Sequence, residues 1–456
     1  MIFERFYTDC LAQASYGLAD PETKVAAIVD PRRDVEIYLE WAAEQGLTIK
    51  HVILTHFHAD FLAGHLELRA RTGATIHLGS QAETEYPTEP LADGASLELG
   101  PGLRLQTLET PGHTPEGICL LVFEGQAPEP HAILTGDTLF LGDVGRPDLM
   151  SAVGCTAEDL AGQLYDSLHE KILPLPDATI VYPGHGAGSS CGKTLSSAAS
   201  APLGEERASN YALQPMTKAE FVQKVTEGQG KPPAYFAHDA RLNKIERPTL
   251  DEALEAALRP LSCEELVRLK NQGVQVLDAR DPEDYAAFHF RGSVNVGLGG
   301  KYASWCGVVL TPTRPIALIV APGREREAAL RLGRIGFDSI SGYLEGGAEA
   351  LRGQPELTNR IERIDPQELR ARLASETPPR LLDVRGPGEV AAGAIEGSLR
   401  ICLTGLSERL DEVDRDATWV VHCQGGYRSA IAASLLEGAG LQVTDLRGGY
   451  RAWAAG

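Results

Sequence analysis

The sequence predicts an α/β protein of several domains, and three patterns along its 456 residues support this prediction. In the first half, short apolar runs alternate with turns, and several of these runs end in His or Asp next to glycine. In the second half, one segment recurs at an offset of about a hundred residues. Within each copy, buried strands alternate with helical segments, as in parallel sheets. A chain of this length is expected to fold as two to four domains.

The first group of chemically active side chains follows the apolar residues 51–54, which the pattern predicts as a strand. His56, His58 and Asp60 come directly after it. Two imidazoles and a carboxylate at such short spacing are typical ligands of a transition metal. Because the strand ends before them, we expect these side chains on the loop at its end.

The same arrangement recurs at three later strand ends. The predicted strands 103–108, 131–134 and 178–181 lead into Gly112-His113, Gly136-Asp137 and Gly184-His185. Glycine lets the backbone approach closely and leaves room for a metal. We therefore predict one composite site, with His56, His113 and Asp137 as the metal ligands. His58, Asp60 and His185 are expected around it, as supports or as the remains of a second metal position.

The motif Thr-His-Phe-His-Ala-Asp at 55–60, with the three glycine-paired residues, resembles the metallo-β-lactamase superfamily over the first half of the chain. The resemblance implies an αββα sandwich. Binuclear hydrolases of the glyoxalase II kind carry His after the motif Asp, whereas this chain has Phe61. The two-histidine, one-carboxylate set that remains is the pattern of non-haem Fe(II) oxygenases. Within this superfamily, the resemblance implies a persulfide dioxygenase with one Fe(II) per chain.

Composition restricts the partners and the compartment. A net charge of -21 argues against nucleic acid and anionic membranes as partners. Eight cysteines without a CxxC pair argue against a disulfide framework and a structural zinc site. No basic leader and no apolar run of membrane-spanning length is present. We therefore predict a soluble cytoplasmic protein.

The domain boundaries are predicted from helix and linker signals. A capping box opens a helix at 217–225, and a Gly/Pro-rich stretch at 227–233 ends it. By the resemblance, 235–243 should pack back on the first domain. The predicted domains are 1–247, 248–355 and 356–456.

The repeat pairs residues 276–280 with 381–385, and 291–294 with 396–399. Two copies of a small domain with a doubly wound parallel sheet are expected. In the second copy, a strand ends at Cys423, and a glycine-rich loop leads into a helix. Such a loop forms an anion cradle, where backbone N–H groups and Arg428 would hold Cys423 as a thiolate. The remaining cradle residues are Gln424, Gly425, Gly426, Tyr427 and Ser429.

This loop resembles the rhodanese active loop. Its Cys-x4-Arg length matches sulfurtransferases, whereas the related dual-specificity phosphatases use one residue more, so a persulfide on Cys423 is expected rather than a phosphate. In the first copy Ala321 takes the place of the cysteine, which predicts a pseudo-rhodanese that serves as a spacer or docking element. Cys191 follows His185 in a loop of small residues, and either assists sulfur handling at the metal or packs there.

The order of the three modules resembles persulfide dioxygenase–sulfurtransferase fusions of bacterial sulfide oxidation and detoxification. The resemblance implies that a small persulfide and O2 give sulfite at the iron. Cys423 then passes sulfane sulfur to sulfite, or draws it from thiosulfate. The resemblance leaves open the direction of sulfur transfer, the thiol that carries the persulfide and whether the chain assembles as a homo-oligomer. Two alternatives are a zinc thioester hydrolase that uses Asp60 and His185, and a non-enzymatic sulfur carrier or sensor.

Overall fold

Two mixed six-stranded sheets face each other in the first half of the chain, in a computed structural model that describes residues 1–149 and 154–456. The first sheet contains β1 (Ile2–Thr8), β2 (Gln13–Ala19), β3 (Val25–Val29), β4 (Thr48–Ile53), β5 (Thr75–Gly79) and β6 (Glu89–Leu91), in that order. The second has the order β12-β11-β10-β9-β8-β7. Its strands are β7 (Ser96–Gly100), β8 (Leu103–Glu109), β9 (Ile118–Glu124), β10 (Ala132–Gly136), β11 (Ile180–Pro183) and β12 (Ala201–Pro202).

Helices cover the outer face of each sheet. The helices of this half of the chain are α1 (Glu36–Gln45), α2 (His65–Thr72), α3 (Ala157–Asp166), α4 (Leu203–Ser209), α5 (Lys218–Thr226) and α6 (Tyr235–Leu242), with a π-helical turn at Ser167–Ile172 and a 3-10 turn at Tyr211–Leu213. The α5 helix begins at the predicted capping box, in which Thr217 and Glu220 bond each other's backbone N–H.

Successive side chains of a strand point to opposite faces of its sheet, and this alternation explains how the two sheets and the helices stack in layers. In β9, Leu120 packs in the core between the sheets, while its neighbour Leu121 packs against the helices on the other side. On the outer face of the first sheet, Ile28 packs with Trp41 of α1 and Leu68 of α2. The predicted αββα sandwich is confirmed.

The second half of the chain contains two five-stranded parallel sheets, ordered β13-β18-β17-β14-β16 and β20-β24-β23-β21-β22. The first copy contains β13 (Pro260–Leu261), α8 (Cys263–Asn271), β14 (Gln275–Asp278), α9 (Pro282–Ala287), β15 (His289–Phe290), β16 (Val294–Asn295), α10 (Tyr302–Val309), β17 (Ile316–Ile319), α11 (Glu325–Gly333), β18 (Ile340–Leu344) and a 3-10 turn at Gly347–Leu351; α7 (Leu250–Ala257) precedes it. β15 pairs with β19 (Thr358–Asn359).

The second copy contains β20 (Glu362–Ile364), α12 (Pro366–Leu373), β21 (Arg380–Asp383), α13 (Pro387–Ala391), β22 (Leu399–Arg400), β23 (Thr418–His422), α14 (Tyr427–Gly438), β24 (Gln442–Leu446) and α15 (Gly449–Ala455), with 3-10 turns at Leu403–Gly405 and Leu410–Glu412. The two copies share a buried ion pair after the second strand of each sheet. Arg280 binds Asp278 with Nη2–Oδ2 at 2.6 Å, and Arg385 binds Asp383 at 2.7 Å. The internal repeat is therefore confirmed.

The described residues divide into two units, Met1–Leu250 with Gly333–Gly336, and Asp251–Leu332 with Phe337–Gly456. The three-domain division at 247 and 355 stays a prediction. None of the helices in the described parts of the chain has the length and apolar character that a membrane span requires.

Candidate metal centre and cysteine loop

Strand ends of both sheets deliver the predicted ligands to one place. His56 follows β4, His113 follows β8 and Asp137 follows β10, and all three are buried. Asp137 Oδ2 lies 3.6 Å from His113 Nε2 and 3.9 Å from His56 Nε2. Metal bonds to His and carboxylate are about 2.0–2.2 Å long, so one ion between these atoms can span both distances.

The orientation of the His56 ring is set by two residues that come before it. The Thr55 hydroxyl donates to Asp30 Oδ2 at 2.8 Å and lies 2.9 Å from His56 Nδ1. Because its single proton goes to Asp30, the hydroxyl accepts from the imidazole. The proton therefore sits on Nδ1, and the lone pair of Nε2 faces Asp137.

His113 is held in the same tautomer. Its Nδ1 donates to the carbonyl oxygen of Arg146 at 2.8 Å. Burial lowers the pKa of His56 and of His113, which favours neutral rings. Burial alone would raise the pKa of the Asp137 carboxyl, but the neighbouring His185 brings this pKa well below its ordinary value. Two neutral imidazole nitrogens and one carboxylate thus fit a divalent metal.

His185 lies between two carboxylates. Its Nδ1 is 2.8 Å from Asp137 Oδ1, and its Nε2 is 2.9 Å from Asp60 Oδ2. Burial opposes a charge on this ring, yet Asp137 and Asp60 together raise the pKa of His185 well above 6.5. In the structure, His185 therefore lies between the two acids, with one ring nitrogen against each.

Phe61 and His58 also line this region. Phe61 is fully buried, and its ring centroid lies 4.3 Å from that of His58. His58 turns its Nε2 to within 3.0 Å of Asp30 Oδ1. An apolar ring thus takes the place of the histidine that the binuclear hydrolases carry.

Cys191 is part of a second group of potential ligands. Donor atoms of Asp60, His185 and Cys191 lie within 4.8 Å of one another. Burial raises the pKa of the Cys191 thiol well above its usual range, and the charge of Asp60 adds to the effect. The structure therefore places Cys191 beside the centre as a thiol, while its part in sulfur handling stays a prediction.

Sequence reasoning missed several supporting residues. Asp30 adopts a left-handed backbone conformation with φ of 49° and accepts from both the backbone N–H and the hydroxyl of Thr55. It directly follows β3, so the strand-end rule used for the ligands also applies to it. Asn243 donates to the carbonyl oxygens of His58 and Phe61. Those bonds confirm that residues 235–243 pack back on the first domain, but no local pattern indicated Asn243.

The predicted cysteine loop lies between β23 and α14. Cys423 follows the strand directly and is buried, and the Gly426 N–H donates to its Sγ at 3.1 Å. Gly426 has φ of 100°, a conformation that favours glycine. The loop of Gln424, Gly425, Gly426, Tyr427, Arg428 and Ser429 thus curls around the sulfur and enters the helix. Such a cradle suits a thiolate or a persulfide.

Two side chains of this loop have partners that were not foreseen. Arg428 makes a bidentate ion pair with Glu389, with both N–O distances at 2.6 Å, so its expected positive charge is largely balanced. The Tyr427 hydroxyl donates to the carbonyl oxygen of Gly297 at 2.6 Å. A Cβ atom at Gly300 would lie 2.6 Å from the Tyr427 ring. The first copy, with Ala321 after β17, therefore contacts the Cys423 loop of the second.

Comparison with protein families agrees with this architecture. Residues 12–185 match the metallo-β-lactamase superfamily, and residues 262–354 and 365–456 each match the rhodanese-like domain. A solved metallo-β-lactamase from Staphylococcus aureus subsp. aureus COL aligns with a TM-score of 0.67 and 32% identity, over 75% of this chain and 98% of that one. The chain therefore belongs to the metallo-β-lactamase superfamily and carries two rhodanese-like domains.

Relatives of the first domain have different activities. The chain is 34% identical to a hydroxyacylglutathione hydrolase of Polaromonas sp. over 41% of its own length and 66% of the relative. It is 31% identical to the mitochondrial persulfide dioxygenase ETHE1 of Bos taurus, over 38% and 63%. With the probable metallo-hydrolase YqgX of Bacillus subtilis it shares 31% identity over 38% of this chain and 85% of that protein. The chain thus spans about two thirds of the first two relatives.

Proposed function

We propose that the first domain is a mononuclear non-haem Fe(II) dioxygenase that oxidises the terminal sulfur of a small persulfide to sulfite. The observation that best supports this is the contrast between the proposed iron position and the neighbouring position where a second metal would bind. His56, His113 and Asp137 present two lone pairs and a carboxylate oxygen to one point. At the second position, His185 is ion-paired with Asp60 and Phe61 offers no ligand.

Fe(II) held by these three residues would leave open coordination positions for a persulfide and O2. The protein's own contribution is to orient the three ligands and to shield the reacting sulfur from water. Thr55 and the Arg146 carbonyl fix the two imidazoles, and His185 orients Asp137. Burial of all three ligands keeps bulk water away from the reacting sulfur.

We propose that the second rhodanese-like domain transfers sulfane sulfur through Cys423, within a protein of three domains at 1–247, 248–355 and 356–456. The outer sulfur of a Cys423 persulfide is attacked by the sulfur lone pair of sulfite. A new S–S bond forms, the bond to Sγ breaks, and Cys423 leaves as a thiolate with thiosulfate as product. The tether raises the effective concentration of sulfite near Cys423. Cytoplasmic sulfide oxidation and detoxification would use both steps.

A zinc thioester hydrolase is the second candidate. The identity to a hydroxyacylglutathione hydrolase supports it. So does the group of Asp60, His185 and Cys191, which could become a second metal site if its protons were displaced.

Metal analysis and oxygen uptake distinguish these candidates. The full chain is purified anaerobically under reducing conditions and mixed with glutathione persulfide or with S-lactoylglutathione. We expect about one iron per chain and oxygen consumption that depends on the persulfide. About two zinc ions per chain with thioester hydrolysis and no oxygen uptake would support the hydrolase instead.

A further inference from the structure

Most arginines near the Cys423 loop are neutralised by carboxylates. Each of four has at least one acidic partner: Arg363 pairs with Asp445 and Glu283, Arg385 with Asp383, Arg428 with Glu389, and Arg447 with Glu283. These pairs leave little positive charge for an incoming anion. Thiosulfate is a dianion near neutral pH and sulfite is partly so, and the chain has a net charge of -21, so a local cation is needed to bind these anions.

Arg451 is the exception. It is exposed, and no carboxylate of the described residues lies within ion-pair distance of its guanidinium. Its backbone N–H donates to the carbonyl oxygen of Gln424 at 3.0 Å, which attaches the start of α15 to the loop. A Cβ atom at Gly425 would lie 3.5 Å from Arg451 Nη2, so the guanidinium lies directly against the loop.

The first turn of α15 fixes the position of Arg451 against the loop. The Tyr450 N–H donates to the carbonyl oxygen of Cys423 at 2.7 Å. Gly449 has φ of 58°, and a Cβ atom there would lie 2.3 Å from the same oxygen. The strand end that carries the nucleophile and the turn that carries Arg451 are therefore in backbone contact.

We propose that Arg451 binds the oxyanion of the sulfur donor or acceptor, sulfite or thiosulfate, at the Cys423 site. The inference rests on the proposed sulfurtransferase function and adds to it the residue that recognises the substrate. A guanidinium presents a planar fork of donors that matches two oxygens of a sulfonate group. Held there by its oxygens, the anion can turn its sulfur toward Cys423. Arg451 also reduces the repulsion between the dianion and a Cys423 persulfide.

Steady-state kinetics of thiosulfate:cyanide sulfur transfer test this role in the full-length protein. In Arg451→Gln, the KM for thiosulfate should rise about tenfold, the size of a lost charge-assisted hydrogen bond, with little change in kcat. Arg451→Lys should recover part of the loss. The matched control is Arg415→Gln, which removes the same charge from an exposed arginine before β23, at the far end of that strand from Cys423. Equal effects of the two Gln variants would overturn the inference.

Alkylation of Cys423 separates anion binding from an effect on the thiol itself. Rates with iodoacetate, an anion, and with neutral iodoacetamide are followed on the Cys423 peptide by mass spectrometry. Arg451→Gln should slow iodoacetate several-fold more than iodoacetamide. Equal slowing of both reagents would mean that Arg451 acts on the sulfur and not on anions. A parent protein without sulfurtransferase activity would defeat the proposed function, whereas the alkylation ratio would still decide whether Arg451 binds anions.

Discussion

Thr55 Oγ1 lies 2.9 Å from His56 Nδ1 and gives its own proton to Asp30, so a threonine next to the proposed ligand His56 decides which ring nitrogen faces Asp137. The Thr55 side chain is buried. Loss of a residue that orients a ligand in this way typically lowers metal affinity or activity by about 10- to 100-fold.

We expect Thr55→Val, which is close to isosteric, to weaken iron binding by about 10- to 100-fold. Metal retention against a chelator, measured on anaerobically loaded protein, checks this. Thr179→Val is the matched control, because Thr179 is equally buried but its hydroxyl has no hydrogen-bond partner. Thr179 directly precedes β11, and His185 lies beyond the opposite end of that strand. If both variants lose iron equally, the effect comes from folding and not from His56.

His113→Ala removes one of the three proposed protein ligands, and we expect it to abolish oxygen uptake because most of the iron affinity is lost. Thiosulfate:cyanide sulfur transfer should be unchanged, since Cys423 belongs to another compact unit. Both activities are measured on the same preparation. A parallel fall in sulfur transfer would show that the domains do not act as separate modules.

Phe61→His restores an imidazole where the binuclear hydrolases carry one. We expect zinc occupancy to rise toward about two ions per chain, with weak thioester hydrolysis, because the new ring competes for a metal beside Asp60. Phe61→Leu, which changes the ring but adds no donor, should keep the parent's metal content. Unchanged zinc content in Phe61→His would mean that the His185–Asp60 pair alone excludes the second metal.

The strand-end pattern predicted the cluster of His56, His113 and Asp137, because strand ends carry side chains to one edge of a sandwich. It could not predict that His185 would be shared by Asp137 and Asp60, since the separation of two carboxylates from one ring is a result of packing. Asp30 also follows a strand, β3, but it was not predicted, because its neighbour is Pro31 and not the glycine that marks the other strand ends.

The cysteine loop shows the same limit. The motif predicted the cradle around Cys423 and the helix after it, both of which are local. It also suggested a free charge at Arg428, whereas the structure pairs that guanidinium with Glu389, 39 positions earlier in the chain. Partners at such separations, like Gly297 for Tyr427, depend on how the sheet places its loops.

The proposed iron site and Cys423 are expected to act in sequence on sulfur, and the Cys423→Ser variant tests this order most directly. With glutathione persulfide as the sole substrate, the parent should form mainly thiosulfate from the first turnovers. The variant should consume oxygen at the parent's rate and release sulfite, because Ala321 cannot replace the missing thiolate. Cys263→Ser, a substitution of the same kind in the first rhodanese-like copy, should behave as the parent.

The decisive measurement is the ratio of sulfite to thiosulfate in initial rates, before sulfite and persulfide react without enzyme. We expect sulfite to dominate for Cys423→Ser and thiosulfate to dominate for the parent. Equal initial thiosulfate from the two proteins would contradict the transfer step, and a loss of oxygen uptake in the variant would contradict the proposed order by showing that Cys423 feeds the iron site.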